Sequence, residues 1–289
     1  MSRTTDRLLA GGTTVARTAD EVGRHAADRV SRLVLEAISA RGRARVIFAS
    51  APSQEPTIAA LRSDVRIDWS RVQAFHMDEY LGLPFDHPQA FGQWLQDRLP
   101  TDVTLRRIDP TADPAAEASR YAQLLSAAPI DVTCLGIGVN GHIAFNEPDV
   151  ADFDDPELVR TVELDEVSRT QQVDEGLFAA VADVPTRALT LTVPALVGAR
   201  SMVATVLGSQ KAAAVSCALT GPVTARCPAS VLRTHGAASI HLDEGAASLL
   251  GDAAAVDAAA VDAAAVDAAA AAVERAAGVP IETGADDRS

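Results

Sequence analysis

Ile130-Asp131-Val132-Thr133-Cys134-Leu135 runs directly into Gly136-Ile137-Gly138-Val139-Asn140-Gly141-His142-Ile143-Ala144-Phe145-Asn146-Glu147-Pro148. The first six residues read as a buried strand. The stretch that follows places Asn140, His142, Asn146 and Glu147 within eight positions, punctuated by three glycines and a proline. A histidine within reach of a carboxylate is a proton-transfer device. Here it sits beyond the carboxyl end of a strand, where open α/β sheets bind their ligands. Gly136, Gly138 and Gly141 also match the spacing of the dinucleotide fingerprint. That fingerprint needs a helix opening at the glycines to hold a pyrophosphate, and Pro148 would break such a helix. The glycines therefore read as positions where the backbone approaches a ligand closely.

The flanking sequence alternates between helical and extended patterns. Residues 19–40 carry Val22, Ala26, Val30, Leu33, Val34 and Ile38 at helical spacing, and residues 45–49 form a short apolar strand. A polar loop follows over 50–56, then a helix over 57–61, a strand over 72–77 and helices over 88–99 and 114–127. Further strands are predicted over 130–136 and 201–207, with another over 188–193. This order implies an α/β fold: a three-layer α/β/α single domain with a mostly parallel, Rossmann-like sheet, spanning residues 1–250. In such a sheet the loops 50–54, 76–80, 138–147 and 208–211 emerge on one edge. Residues 149–185, polar and acidic, read as a lid. Residues 251–289 form an Ala/Asp/Val repeat in which Asp-Ala-Ala-Ala-Val recurs from Asp252, Asp257 and Asp262. Alanine favours helix, but a five-residue step turns each valine by about 140° and leaves no apolar stripe. The repeat reads as an extension outside the catalytic domain.

Composition narrows the function. The 289 residues are 48% hydrophobic with a net charge of −14. Acidity argues against nucleic-acid and anionic-membrane partners, though a local pocket can still hold a small anion. No apolar run is long enough for a membrane span, and the N-terminus lacks the apolar core of a secretory signal. Cys134, Cys217 and Cys227 are odd in number and form no CxxC pair, which argues against a disulfide framework or a cysteine-rich zinc site. A cytoplasmic location is expected, and a homo-oligomer remains open.

Two more motifs carry chemistry. Lys211 is the sole lysine among 25 basic residues. It follows Leu207-Gly208-Ser209-Gln210, a strand-to-helix turn with Ser209 as the expected N-cap. An ammonium added to a helix N-terminus suits a phosphate. In Phe75-His76-Met77-Asp78-Glu79-Tyr80-Leu81-Gly82-Leu83-Pro84, two carboxylates follow a strand directly. Adjacent side chains cannot both face one pocket in extended backbone, so one of Asp78 and Glu79 meets the ligand while the other supports the loop. His76 and His87 lack ligand spacing for a metal and read as structural.

Together these three motifs, in this order and spacing, resemble the glucosamine-6-phosphate deaminase (isomerase) family, over roughly residues 20–250. The resemblance implies conversion of glucosamine 6-phosphate and water to fructose 6-phosphate and ammonia, with no metal and no organic cofactor. His142 would open the sugar ring, with Glu147 tuning its ionisation and Asn140 orienting it. Asp78 would carry the proton from C2 to C1, and Lys211 would hold the phosphate. Ser50, Ser53, Gln54, Glu79, Gly138, Gly141, Arg169 and Gln172 complete the candidate substrate contacts. The chain departs from the family at three places. Asn140 stands where an aspartate is usual, Ser50-Ala51-Pro52-Ser53-Gln54-Glu55-Pro56 replaces a glycine-rich loop, and the phosphate arginine is replaced by a neutral or acidic residue near Val173 or Asp174. Glu55 would repel a phosphate if it faced inward. Another sugar-phosphate isomerisation, a lactone hydrolysis on the same fold, and a non-catalytic sugar-phosphate sensor are the alternatives.

Overall fold

The computed structural model describes residues 7–9, 12–148 and 150–250; the alanine repeat lies outside the described residues. In chain order the elements are β1 (Arg7–Leu9), β2 (Thr13–Ala16), α1 (Ala19–Arg41), β3 (Ala44–Phe48), α2 (Glu55–Arg62), β4 (Val72–His76), β5 (Asp78–Tyr80), α3 (Phe91–Arg98), β6 (Thr104–Arg106), α4 (Pro114–Ser126), β7 (Val132–Leu135), β8 (Val159–Glu163), α5 (Glu166–Asp174), β9 (Arg187–Leu191), α6 (Val193–Val197), β10 (Ser201–Val206), α7 (Ala212–Thr220) and β11 (Ala238–Asp243). Seven parallel strands, ordered β2-β11-β10-β7-β3-β4-β6, make the main sheet, and β1 pairs antiparallel with β2 at one edge.

The central strands are buried on both faces, which is why they read as continuous apolar runs. Side chains alternate between the two layers. Ile47, Phe75, Leu135, Met202 and Ala204 pack with residues of α4, α6 and α7. Val46, Phe48, Val132, Cys134 and Val203 pack with residues of α1, α2 and α3. Helix α1 starts at a capping box in which Glu21 N–H donates to Thr18 Oγ1 and Thr18 N–H to Glu21 Oε2, both at 3.2 Å. This reciprocal pairing satisfies otherwise orphaned helix donors.

Residues 78–80 and 188–193 differ from the expectation. Neither joins the parallel sheet: β5, β9 and β8 form a separate three-stranded antiparallel sheet. The chain bends at Met77, where Leu191 N–H donates to the Met77 carbonyl at 2.7 Å and His76 braces the bend. Burial pushes that imidazole down to about 4, so it is neutral, with one donor and one acceptor nitrogen. Nε2 accepts from Ile108 N–H at 2.9 Å, leaving Nδ1–H to donate to the Asp78 carbonyl at 2.8 Å. His76 is structural, as expected. Tyr80, Phe91, Phe145, Leu164, Val184 and Ala188 form the small sheet's own apolar cluster, with the Tyr80 ring 4.6 Å from Phe91 and 5.8 Å from Phe145. That cluster ties the small sheet to the loop carrying His142. Residues 150–185 are folded as β8, α5 and their connections.

Candidate active site

Strands β3, β4 and β6 step outward in one direction, whereas β7 returns to the other side of β3 and is followed by β10 and β11. The reversal between β3 and β7 is a topological switch point, the usual ligand crevice of such sheets. The segments after β4, β3, β7 and β10, four neighbouring strands, supply Asp78, Ser50 and Ser53, Gly138 and His142, and Lys211. These residues and Gln172 line one cleft, placed where such sheets bind small molecules.

The loop after β7 is built around its own hydrogen bonds. Gly138 N–H donates to the His142 carbonyl at 2.9 Å and Gly141 N–H to the Gly138 carbonyl at 3.0 Å. Gly141 has φ +89°, which a side chain would strain. Ala144, in the cleft wall, carries a positive φ of 48°. Asn146 Nδ2 donates to the carbonyls of Ile143 at 2.9 Å and Leu191 at 2.8 Å, so it closes the turn.

His142 Nδ1 lies 3.2 Å from both Glu147 oxygens and 3.3 Å from Ser168 Oγ. Ser168 donates a short hydrogen bond to Glu147 Oε1, and Asn140 Nδ2 donates to Glu147 Oε2 at 2.6 Å. Burial alone would push the Glu147 carboxyl up. The hydrogen bond and electrostatic attraction of the His142 ring, with the bonds from Ser168 and Asn140, outweigh burial and hold it below its ordinary value. Ionised Glu147 thus anchors Nδ1 and leaves Nε2 as the nitrogen able to meet a ligand. Asn140 does not orient the imidazole through its ring: its Oδ1 accepts the His142 backbone N–H at 3.1 Å while its amide binds Glu147. An aspartate there would set a second negative charge against Glu147, whereas the amide supplies a donor.

Gly138 must be glycine for space, since a Cβ would lie 2.3 Å from the His142 ring. Gly138→Ala is expected to displace the imidazole and lower turnover at least 100-fold, a loss typical of misplaced catalytic groups (~10²-fold for about 1 Å). Steady-state rates alongside a melting curve check this; near-wild-type turnover would contradict the placement.

Between the two adjacent carboxylates the geometry is decisive. Asp78 lines the cleft. Glu79 does not: it accepts backbone N–H groups of Tyr80 at 3.1 Å, Phe91 at 2.9 Å and Gly92 at 2.8 Å. It therefore caps the start of α3, where a helix favours negative charge. Burial pushes Glu79 up to about 7 against those three bonds. Asp78 is raised well above its ordinary value, by burial first and by Glu79 second.

Lys211 is buried at the cleft, its Nζ 3.8 Å from Glu175 Oε1. Burial lowers its pKa and Glu175 opposes that shift. Ser209 is not a side-chain cap: a 3-10 turn over Ser209–Lys211 precedes α7, placing Lys211 at that helix's N-cap position.

Several other predicted contacts fall outside the cleft lining. Gln54 Nε2 donates to Thr205 O and Ser53 Oγ, both at 3.2 Å, behind the wall. Arg169 donates to the carbonyls of Val181 at 2.5 Å and Val184 at 3.1 Å. Gly141 packs against Cys227. Glu55 pairs with Arg98 at 3.5 Å on the surface and does not face inward. Conversely, Gln171 and Glu175 line the cleft and Ser168 contacts His142, though none was singled out from sequence. Asp165, which accepts from Ser168 N–H at 2.7 Å, is a readable helix start, but the helix's inward face is polar and gives no apolar stripe to orient it.

A switch-point cleft holding a histidine–carboxylate pair, a buried second carboxylate and a buried ammonium has the groups that proton transfer on a small anionic molecule requires. Residues 17–240 match the model of the glucosamine-6-phosphate isomerases/6-phosphogluconolactonase family, and the chain belongs to that family. A glucosamine-6-phosphate deaminase from Exiguobacterium sibiricum is 37% identical over 193 residues, 65% of this chain and 75% of the relative. One from Listeria innocua is 36% identical over 194 residues, 66% and 80% of the two chains. Among solved structures, a monomeric glucosamine-6-phosphate deaminase aligns with a TM-score of 0.74 at 28% identity, over 82% of this chain and 99% of that one. A 6-phosphogluconolactonase from Trypanosoma cruzi aligns at 0.68 with 14% identity, over 85% and 99%, and shares the fold alone. Among the described residues no helix is long and apolar enough to cross a membrane.

Proposed function

We propose that this chain is an aminosugar-phosphate deaminase that converts glucosamine 6-phosphate and water to fructose 6-phosphate and ammonia. The observation that carries the reading is a desolvated Asp78 sharing one cleft with His142, whose far nitrogen is anchored by Glu147. His142 Nε2 takes the proton of the anomeric hydroxyl and returns it to the ring oxygen, opening the sugar to its aldehyde. Asp78 removes the C2 proton as the carbonyl oxygen gains one, giving a C1–C2 enolamine. Returning the proton to C1 leaves an iminium at C2. Water adds there, and the carbinolamine collapses to the ketone and expels ammonia. A carboxylate in water is too weak a base for the middle steps; burial raises Asp78 well above its ordinary value and so strengthens it as a base. Lys211 binds the phosphate in the cleft that Ser53 also lines, while the Ser50 hydroxyl donates to the Phe91 carbonyl at 3.1 Å.

The C2-to-C1 transfer separates this reading from lactone hydrolysis, which moves no carbon-bound proton. Glucosamine 6-phosphate deuterated at C2 is expected to deliver that label to C1 of fructose 6-phosphate, undiluted where the proton held by Asp78 is shielded from solvent, read by NMR; hydrolysis of 6-phosphogluconolactone without aminosugar turnover would contradict the reading.

The pH dependence follows from the same pair of carboxylates. Asp78 must be ionised to accept the C2 proton, so kcat/KM rises with pH through its raised pKa. Glu79→Gln removes the negative neighbour, lowers the Asp78 pKa and moves that acid limb to lower pH. A pH–rate profile in which the limb stays put or moves up would contradict the assignment of Asp78 as base.

A further inference from the structure

Glu175 sits where an anionic ligand meets Lys211, and it carries the wrong charge for one. Both residues line the cleft, 3.8 Å apart, with side-chain exposures of 7% for Lys211 and 24% for Glu175. Asp78 is the other acid in the lining, and Ser50 and Ser53 offer neutral hydroxyls. A phosphate approaching Lys211 therefore meets a carboxylate already in contact with it, and like charges at such a distance repel strongly. Glu175 is also held by Gln171, whose Nε2 donates to Glu175 Oε1 at 2.7 Å. The other end of that amide, Oε1, accepts Val139 N–H at 3.3 Å, in the loop that carries His142. Glu175 lies at the C-terminal end of α5, just before Gly176 with its φ of +75°, so its side chain can leave without unwinding the helix.

We propose that Glu175 is a specificity-determining residue that occupies the phosphate subsite of the free enzyme as an internal carboxylate. The substrate's phosphate must displace it from Lys211. The inference rests on the deaminase reading for the identity of the substrate, but not for the competition itself. Anion affinity is reduced by the fraction of molecules in which Glu175 holds Lys211. Displacement also frees Gln171, linking occupancy of the anion subsite to the His142 loop. If the ion pair served only to position Lys211, removing Glu175 would have the opposite effect and weaken anion binding.

The test is calorimetric titration of inorganic phosphate into the full chain and into Glu175→Gln, Glu175→Ala and Lys211→Met. Both Glu175 variants are expected to bind phosphate about tenfold tighter than the parent, and Lys211→Met to lose measurable binding. KM for glucosamine 6-phosphate should fall by a similar factor in Glu175→Gln. Unchanged or weaker phosphate binding in both Glu175 variants, or no binding to any protein, would overturn the proposal. Tighter phosphate binding without deamination in any variant would remove the deaminase reading and leave the competition standing. Deamination with phosphate affinity unchanged would do the reverse.

Discussion

Asp78→Asn is expected to lower kcat for glucosamine 6-phosphate by about 10²- to 10⁴-fold, the usual contribution of a positioned acid–base group, while leaving KM within a few-fold. The amide is nearly isosteric with the carboxylate and keeps the cleft's shape, but it can neither accept the C2 proton nor return it to C1. Loss in kcat and kcat/KM together marks an interaction made only in the transition state. Ring opening at His142 should survive, because its Nδ1 partners Glu147 and Ser168 are untouched by the change. Anomerisation followed by NMR is therefore expected to persist in the variant while ammonia release is lost. Retention of most ammonia release would remove Asp78 from the proton path.

Lys211→Met is the second large effect, and it falls on binding. Removing one partner of a buried charge interaction costs about 2–5 kcal/mol, so KM for the phosphorylated substrate should rise about 100-fold or more, with a much smaller change in kcat. Methionine fills the aliphatic volume the lysine stem occupies in the buried N-cap position of α7, so the melting temperature should stay close to the parent's. Glu175 adds to the effect, since without Lys211 it faces the phosphate unopposed. Steady-state kinetics with the phosphorylated and unphosphorylated aminosugar check the assignment. An equal loss on both would show that Lys211 does not read the phosphate.

The parallel sheet was legible because β3, β4, β7 and β10 are buried on both faces and so appear as unbroken apolar runs between loops. The site's position followed from the same pattern, since the carboxyl ends of parallel strands share one edge. The small sheet was not legible. β5 follows β4 after a single residue, and the bonds that turn it into a second sheet are long-range: His76 to Ile108 and Asp78, Leu191 N–H to the Met77 carbonyl, and the pairing with β9. β8 is a polar, half-buried strand of five residues, Val159-Arg160-Thr161-Val162-Glu163, with no clean alternation to find. Adjacent carboxylates showed that one of Asp78 and Glu79 must turn away from the ligand, but the choice depends on the N–H groups of Phe91 and Gly92, twelve and thirteen residues on. Glu175 and Ser168 escaped for a related reason: polar residues on a short polar helix look solvated until the helix is docked. Arg169, on that same helix, looked like a ligand contact and instead binds two carbonyls at its back. Asn140 marks a place where family resemblance and structure together say more than either. The resemblance leads to the expectation of an acid at this position, and here the amide serves as a donor to Glu147.

The most direct test is coupled detection of ammonia and fructose 6-phosphate from the purified 289-residue chain supplied with glucosamine 6-phosphate, run beside Asp78→Asn. Equimolar release of both products, abolished by the substitution, is the predicted result. Folded protein that binds the sugar phosphate but releases neither product, or that releases both equally well with Asn at position 78, would contradict the account.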